Sequence, residues 1–298
     1  MQIDRTRRHL SLDPSDPDFA QDPYPAYALA RTAGPALFWE QYGHWCLFDH
    51  AGVSAGLRDR RLGREFDSGV ADPTPPHLAP FYAVDRLTML EREPPAHTRL
   101  RGLVNRAFVS RQIERLRPDI ADLSHRIIDG FAPAGRTELI ESFATVIPVT
   151  VIATLLGVPL GDTGDLLAWS HSMVAMYRLN RTRADEDQAV AATEAFVAYL
   201  RALTQERRID PRDDLISRLI ATQENGDRLT DDELIASCIL LLNAGHEATV
   251  HAIGNGVHTV LRSGRDPADL FATQAGKAAT IEELLRLDTP LHLSLIHI

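Results

Sequence analysis

Residues 241–249 read LLNAGHEAT and lie in the middle of a long helical pattern. Upstream, Thr230 is followed three residues later by Glu233, which is the spacing of a helix-capping box. A helix should therefore begin there, and residues 234–242 are apolar almost all the way round, as in a helix buried inside a large protein. Within this helix Gly245 is unfavourable by about 1 kcal/mol relative to alanine, which indicates that a neighbour needs the space. That neighbour is either another helix or a bound group.

A second motif begins with Pro94 and Pro95. A helix can start after two prolines, and within it His97 and Arg101 are four residues apart on one face. Two cationic donors one turn apart suit a pair of carboxylates or a phosphate. The alternative is a surface helix that contains a histidine by chance.

A third motif lies in the helical pattern over residues 277–287, where Glu283 and Arg286 are three residues apart. Side chains at this spacing can pair across one turn of a helix. The spacing occurs by chance in many helices, so its meaning depends on the two motifs that precede it.

These three motifs, in this order, resemble the cytochrome P-450 family of haem-thiolate monooxygenases, of the soluble bacterial type, over about residues 22–293. The resemblance implies a mainly α-helical, cytochrome P-450-like fold with a small β region near the N-terminus. It implies haem b as the cofactor, and an enzyme that activates O2 and oxidises a small organic substrate. The implied site residues are the haem-propionate pair His97 and Arg101, the haem-facing Ala244 and Gly245, and the structural ion pair Glu283 and Arg286.

One position in the central motif departs from the family pattern. Ala248 stands where most relatives carry a threonine that helps to deliver protons during oxygen activation. It lies one turn after Ala244 and shares its side of the helix, whereas Thr249 is rotated by about 100°. Our hypothesis is that Thr249, an ordered water or a substrate hydroxyl completes the relay, and that Glu247 feeds it.

A second departure concerns the iron ligand. In the family this ligand is a cysteine thiolate on a loop beyond the Glu-x-x-Arg helix. The chain has two cysteines, Cys46 and Cys238, and neither lies in that context, so we predict no iron ligand within this sequence. We interpret residues 293–298, which leave the family pattern, as a non-native tail. The expectation is a single domain over residues 1–298 that is truncated before the cysteine loop and inactive by itself.

Composition limits the other classes of function. A formal net charge of −10 argues against nucleic acid as the main partner. Two cysteines exclude a disulfide framework, and the first residues lack the apolar core of a signal peptide. The most apolar run, residues 144–160, is interrupted by Pro148 and Pro159, so we expect no membrane span and a cytoplasmic protein.

Arginines are dense in the region of the second motif, although the chain is acidic overall. The resemblance implies that this side docks an acidic, ferredoxin-type electron donor, which in turn requires its reductase, and a local basic patch would steer that protein. The alternative is a solvated helical face. The arginines concerned are Arg92, Arg99, Arg101, Arg106, Arg111, Arg115 and Arg117.

Two other functions compete with this interpretation. A zinc hydrolase is suggested by His246 and Glu247 followed by His251, but a zinc helix needs histidines at i and i+4. The spacing here is i to i+5, which turns the second histidine away by about 140°. The remaining alternative is a catalytically inert helical binding fragment.

The sequence also predicts a loop over residues 60–87, because this stretch is rich in Pro, Asp and Gly. We interpret it as a substrate-facing loop with exposed aromatic side chains, namely Phe66, Phe81 and Tyr82. Farther along, two amphipathic helices over residues 164–178 and 184–205 are expected to cover the substrate pocket. Side chains of the first helix either face a ligand or pack in the core, namely His171, Met173, Met176 and Tyr177.

Overall fold

The structure is a computed structural model that describes residues 1–65, 74–108, 110–222 and 226–294, and for residues 110–113 the backbone alone. It divides into two compact units, one of the described residues up to position 65 and one of those from position 74 to 294. Helices dominate, which confirms the predicted mainly α fold class. Within the described ranges, no helix combines the length and the hydropathy that crossing a bilayer requires. The single-domain assignment stays a prediction.

The first unit contains a four-stranded sheet in the order β1-β2-β3-β4. β3 and β4 form an antiparallel hairpin, and β2 pairs with β3 in parallel, so the expected small β region near the N-terminus is present. Leu10, Leu37 and Trp39 lie at the centre of the core beneath the sheet. The elements are β1 (Gln2–Asp4), β2 (His9–Ser11), α1 (Pro17–Gln21), α2 (Tyr24–Ala33), β3 (Ala36–Trp39), β4 (His44–Leu47) and α3 (His50–Gly56).

The second unit is helical throughout, and its core is built mainly from α7, α8, α9 and α11. Short 3-10 or π turns connect several of the helices. The helices are α4 (Ala79–Asp85), α5 (Ala96–Ala107), α6 (Ser110–Phe131), α7 (Val146–Leu156), α8 (Thr163–Val174), α9 (Arg183–Ile209), α10 (Leu215–Ala221), α11 (Asp231–Arg262), α12 (Pro267–Leu270) and α13 (Gln274–Leu287).

The central helix α11 begins where its capping box predicts. The backbone N–H of Glu233 donates to the Thr230 hydroxyl at 3.2 Å, and the Glu233 carboxylate accepts from the Thr230 N–H at 2.8 Å. Residues 233–239 are then all buried, as their apolar composition requires. The helix therefore runs through the middle of the second unit, and α7 packs along it.

A buried ion pair fixes the connection between α9 and α10. The side chains of Arg207 and Asp214 are 1% and 6% exposed, and Arg207 Nε lies 2.5 Å from Asp214 Oδ2. Arg207 also donates to the carbonyl of Gly157 at 2.6 Å, while the other oxygen of Asp214 accepts the N–H of Ser217 at 2.8 Å. The two charges are thus compensated by further hydrogen bonds, as buried ions require.

The structure corrects the prediction of a loop over residues 60–87. Residues 76–85 form a 3-10 turn followed by α4, and Phe81 is buried with 2% exposure rather than exposed. The proline and glycine content concealed this helix because Pro76 and Pro80 lie at the starts of the two helical segments, where proline is tolerated. Phe66 lies outside the described residues.

Four side chains were expected either to face a ligand or to pack in the core, and two of them pack in the core. Met173 and Met176 are each 4% exposed and belong to the main hydrophobic core. Tyr177 is exposed, and its hydroxyl donates to the carboxylate of Asp85 at 2.9 Å. His171 is the remaining member of the set, and it lies in the candidate site.

Candidate functional site

The middle of α11 presents small side chains on one side and buried groups on the other. Ala244 and Thr249 are exposed, and Ala248 is half-buried. The Thr249 hydroxyl donates to the carbonyl of Gly245 at 3.1 Å, which holds it against its own helix. This side of α11 offers a shallow, mostly apolar surface with one hydroxyl at its edge.

Gly245 packs against a neighbouring helix. A Cβ built at this position would lie 3.3 Å from both Cδ1 and Cγ1 of Ile152, which belongs to α7. Carbon atoms prefer separations of about 3.5–4.0 Å, so a methyl group would crowd this contact. Close approach of α7 therefore accounts for the glycine, and the surface available to a bound group is that of Ala244 and Ala248.

One side of helix α5 contacts the start of α11 through Arg99. Arg99 pairs with Glu233 of the capping box, and its Nε lies 3.5 Å from Asp227. His97 and Arg101 are each two positions from Arg99, which places them about 200° round the helix from it. Neither His97 nor Arg101 makes a side-chain hydrogen bond or ion pair with the described residues, so both side chains are available on the other side of the helix.

Glu247 is surrounded by histidines from two helices. Its Oε1 lies 3.4 Å from His171 Nε2 of α8 and 3.5 Å from His246 Nε2, and its Oε2 lies 3.8 Å from His251 Nε2. The neighbouring His246 imidazole is the main cause that lowers the pKa of Glu247, against the opposing effect of burial. The carboxylate is therefore ionised at neutral pH, and imidazole nitrogens lie within 3.4–3.8 Å of its two oxygens.

Only part of this histidine cluster could be predicted from the sequence. His171 was a candidate for contact with a ligand, but nothing in the spacing linked it to Glu247, because the contact is made between two helices. His246 and His251 are five residues apart and therefore lie on different sides of the helix, where each approaches a different oxygen of Glu247. The arrangement differs from a zinc-protease helix, in which both histidines share one ion.

The predicted pairing of Glu283 with Arg286 is confirmed. Two parallel hydrogen bonds join them, from Arg286 Nε at 2.7 Å and from Nη2 at 2.8 Å, and this contact lowers the pKa of Glu283. The pair is exposed on α13, which packs on the second half of α11. Leu284 of α13 would touch a Cβ placed on Gly256 at an ordinary 3.5 Å.

The two cysteines are unsuited to binding iron. Burial raises the pKa of the Cys238 thiol to about 12, and it also raises the pKa of the Cys46 thiol. A thiol with a raised pKa stays protonated, whereas a metal ligand must be the thiolate. The residues described thus suit the acidic edge and the oxygen-binding side of a haem, and the sequence supplies no thiolate for its iron.

The site residues fall into three separate groups. Among the described residues, no hydrogen bond or ion pair connects His97 or Arg101 with residues 244–249, or either group with the pair on α13. Helix α11 links all three, because α5 is tied to its first turn and α13 packs on its second half.

Comparison with known proteins identifies the class. No protein-family model matches the chain. The chain is 36% identical over 287 residues to the cytochrome P450 monooxygenase PikC of Streptomyces venezuelae, covering 94% of this chain and 66% of PikC. It is 30% identical over 289 residues to the polyketide biosynthesis cytochrome P450 PksS of Bacillus subtilis, covering 94% of this chain and 70% of PksS.

A solved structure of a cytochrome P450 has a similar fold. P450BioI, crystallised with an acyl carrier protein that carries hexadec-9Z-enoic acid, superimposes with a TM-score of 0.83 at 28% identity, over 91% of this chain and 70% of that one. The chain belongs to the cytochrome P450 family, as the three motifs indicated. It spans about two thirds of the length of the curated relatives described above.

Proposed function

We propose that this chain is the part of a haem-dependent monooxygenase that carries the oxygen-binding helix and the haem-propionate clamp. The observation that supports this most directly is the pair His97 and Arg101, which has no side-chain partner among the described residues, on a helix that is anchored, through Arg99, to the start of α11. Both side chains lie round the helix from that anchor, and two donors one turn apart suit the capture of two propionates.

Haem b, when bound, supplies the activation of O2 that inserts one oxygen atom into an organic substrate. His97 and Arg101 would hold its propionates, and Ala244 and Ala248 would leave room on its oxygen-binding side. Thr249 supplies a hydroxyl at the edge of this surface. Glu247, ionised and half-buried, would feed a proton to this hydroxyl through its second carboxylate oxygen.

The proton relay differs from the usual family arrangement because Ala248 has no hydroxyl. The Thr249 hydroxyl is engaged with the Gly245 carbonyl in this structure, so it would have to turn from that acceptor to take part. An ordered water or a hydroxyl of the substrate remains the alternative that we proposed from the sequence. Glu283 and Arg286 are proposed to act as the structural ion pair behind the haem.

We further propose an acidic, ferredoxin-type electron donor with its reductase, and a cytoplasmic location. Exposed arginines on α5 and α6 support a basic docking surface, although Arg99 is engaged with Glu233 and Asp227. The exposed ones are Arg101, Arg106, Arg115 and Arg117. The proposed substrate is a small and largely apolar organic molecule. Two relatives support this, since PksS is named for polyketide biosynthesis and P450BioI was crystallised with a fatty acyl group.

The test uses the complete gene product, including the cysteine loop that the family carries. Its reduced form should bind CO with the shifted Soret band of a thiolate-ligated haem, and electrons from NADPH through a ferredoxin and its reductase should drive oxidation of a substrate. A haem-free product, or a reduced CO complex without that shift, would refute the proposal. The 298-residue chain alone should show no turnover, as expected for a catalytically inert fragment without the thiolate.

A further inference from the structure

A second group of potential metal ligands lies between α8 and α11. His171, His246 and Glu247 each offer one donor atom, and these atoms all lie within 4.8 Å of one another. Two of the donors are imidazole nitrogens and the third is a carboxylate oxygen, a combination that binds zinc and related divalent ions. No thiolate is needed for such a site, so it is independent of the missing haem ligand.

The hydrogen bond made by Nδ1 of His246 leaves its Nε2 as the donor atom for a metal ion. Its Nδ1 lies 3.0 Å from the carbonyl oxygen of Leu242, so this nitrogen carries the proton and donates to the carbonyl. Metal-binding histidines almost always donate their second ring N–H in this way, which fixes the orientation of the ring. The Nε2 lone pair is consequently left to bind a cation.

His246 Nε2 and the Glu247 carboxylate lie side by side without a hydrogen bond between them. His246 is 0% exposed, its Nε2 has no hydrogen-bond partner among the described residues, and Glu247 Oε1 lies 3.5 Å from it. A buried nitrogen without a partner is costly. A metal ion bound to both groups would remove that cost.

The separations favour a metal ion. Zinc binds imidazole nitrogen and carboxylate oxygen at about 2.0–2.2 Å, so two ligands of a tetrahedral ion lie about 3.3–3.5 Å apart. Oε1 of Glu247 lies 3.4 Å from His171 Nε2 and 3.5 Å from His246 Nε2. Two of the three ligand separations therefore match the edge of such a tetrahedron, and the third, between the donor nitrogens of His171 and His246, is at most 4.8 Å. Both matching distances exceed the usual length of an N–H···O hydrogen bond, about 2.7–3.2 Å.

We propose that His171 Nε2, His246 Nε2 and Glu247 Oε1 bind a divalent transition-metal ion, with zinc as the best match. The ion enters from the side of His171, which is 57% exposed, and water occupies the fourth position there. Leu242 orients His246 through its carbonyl. The ion joins α8 to α11 and is distinct from the haem iron that the proposed function requires.

The test is a titration of the untagged, haem-free 298-residue chain with zinc, after removal of metals with a chelator. Calorimetry should show one zinc ion per chain, and cobalt in place of zinc should give the intense visible absorption of a four-coordinate site. His171→Ala removes an exposed ligand, so the chain should keep its circular dichroism spectrum while its zinc affinity falls at least tenfold. The control is His258→Ala, which removes an exposed histidine of α11 that is not a proposed ligand and should leave the affinity unchanged.

A second variant makes the test independent of His171. Glu247→Gln keeps the size of the side chain but removes its charge, and it should also lower the zinc affinity at least tenfold. Zinc should raise the melting temperature of the wild-type chain and of His258→Ala, and of neither ligand variant, because only a folded site binds the ion. The proposal is overturned if the wild type binds no zinc at micromolar concentration. Equal affinities of His171→Ala and His258→Ala would also overturn it.

Discussion

Substituting Gly245 by alanine separates two explanations for the glycine in the central helix. Alanine is more favourable than glycine in a helix interior by about 1 kcal/mol. The new methyl group, however, would lie 3.3 Å from two carbons of Ile152, and overpacking of a core costs about 1–3 kcal/mol. Ile152 is 7% exposed and β-branched on α7, so it has little freedom to move aside. The free energy of unfolding should therefore fall by about 0–2 kcal/mol.

The same helix supplies the control. At Gly256 an added Cβ would meet Leu284 at 3.5 Å, which is ordinary contact, so Gly256→Ala should raise the free energy of unfolding by about 0.5–1 kcal/mol. Ile152→Val removes the crowded Cδ1, and by itself should cost about 0.5–1.5 kcal/mol. Combined with Gly245→Ala it should cost less than the sum of the two single variants, because the added methyl group occupies the space that Cδ1 leaves.

Urea unfolding followed by far-ultraviolet circular dichroism gives these values, with the midpoint and the slope compared among the four variants. The packing explanation is refuted if Gly245→Ala stabilises the chain as much as Gly256→Ala does, or if the pair with Ile152→Val is strictly additive. Haem affinity adds a second readout. A glycine that is small because haem needs the space would lose haem affinity on substitution, and Ile152→Val would not restore it.

Three further predictions follow from particular contacts. Asp214→Ala removes the buried partner of Arg207, leaving only the half-exposed Glu206, and it also leaves the N–H of Ser217 without its acceptor, so it should lower the free energy of unfolding by about 3–5 kcal/mol in urea titrations. The exposed neighbour Asp213→Ala should change it by less than about 0.5 kcal/mol, and equal effects would contradict the buried pair. Because burial raises the pKa of the Cys238 thiol to about 12, the folded chain at pH 8 should react with a thiol reagent at this residue only as fast as it unfolds, and rapid labelling would show a thiolate instead. In the complete enzyme, Thr249→Ala should lower the fraction of NADPH consumption that yields product; unchanged coupling would exclude this hydroxyl from the proton relay.

The sequence predicts the elements that carry their own local signal. The start of α11 follows from Thr230 and Glu233, whose side chains and backbones satisfy each other without help from the rest of the chain. Helix α5 is of the same kind, since a double proline marks its start. The pairing of Glu283 with Arg286 lies within one turn of a helix, and it too is predictable from spacing.

Contacts between elements that are far apart in the sequence could not be predicted from it. The place of His171 beside Glu247 depends on how α8 crosses α11, and no spacing along the chain encodes that crossing. The neighbour of Gly245 is Ile152 for the same reason, so the sequence could show that space was needed but not which group needed it. Strands β1 and β2 were missed because three-residue strands carry no usable alternation, and β2 gains its parallel partner β3 only in the folded sheet.

The most direct test of the haem-propionate clamp is a haem titration of the 298-residue chain and of its His97→Ala/Arg101→Ala variant. Hydrogen bonds to charged groups contribute about 1.5–3 kcal/mol each, so loss of both donors should weaken haem binding at least tenfold. Arg115→Ala, which removes an exposed arginine from α6, should bind haem as the wild type does. Equal haem affinity of the double variant and the wild type would contradict the assignment of His97 and Arg101 to the haem.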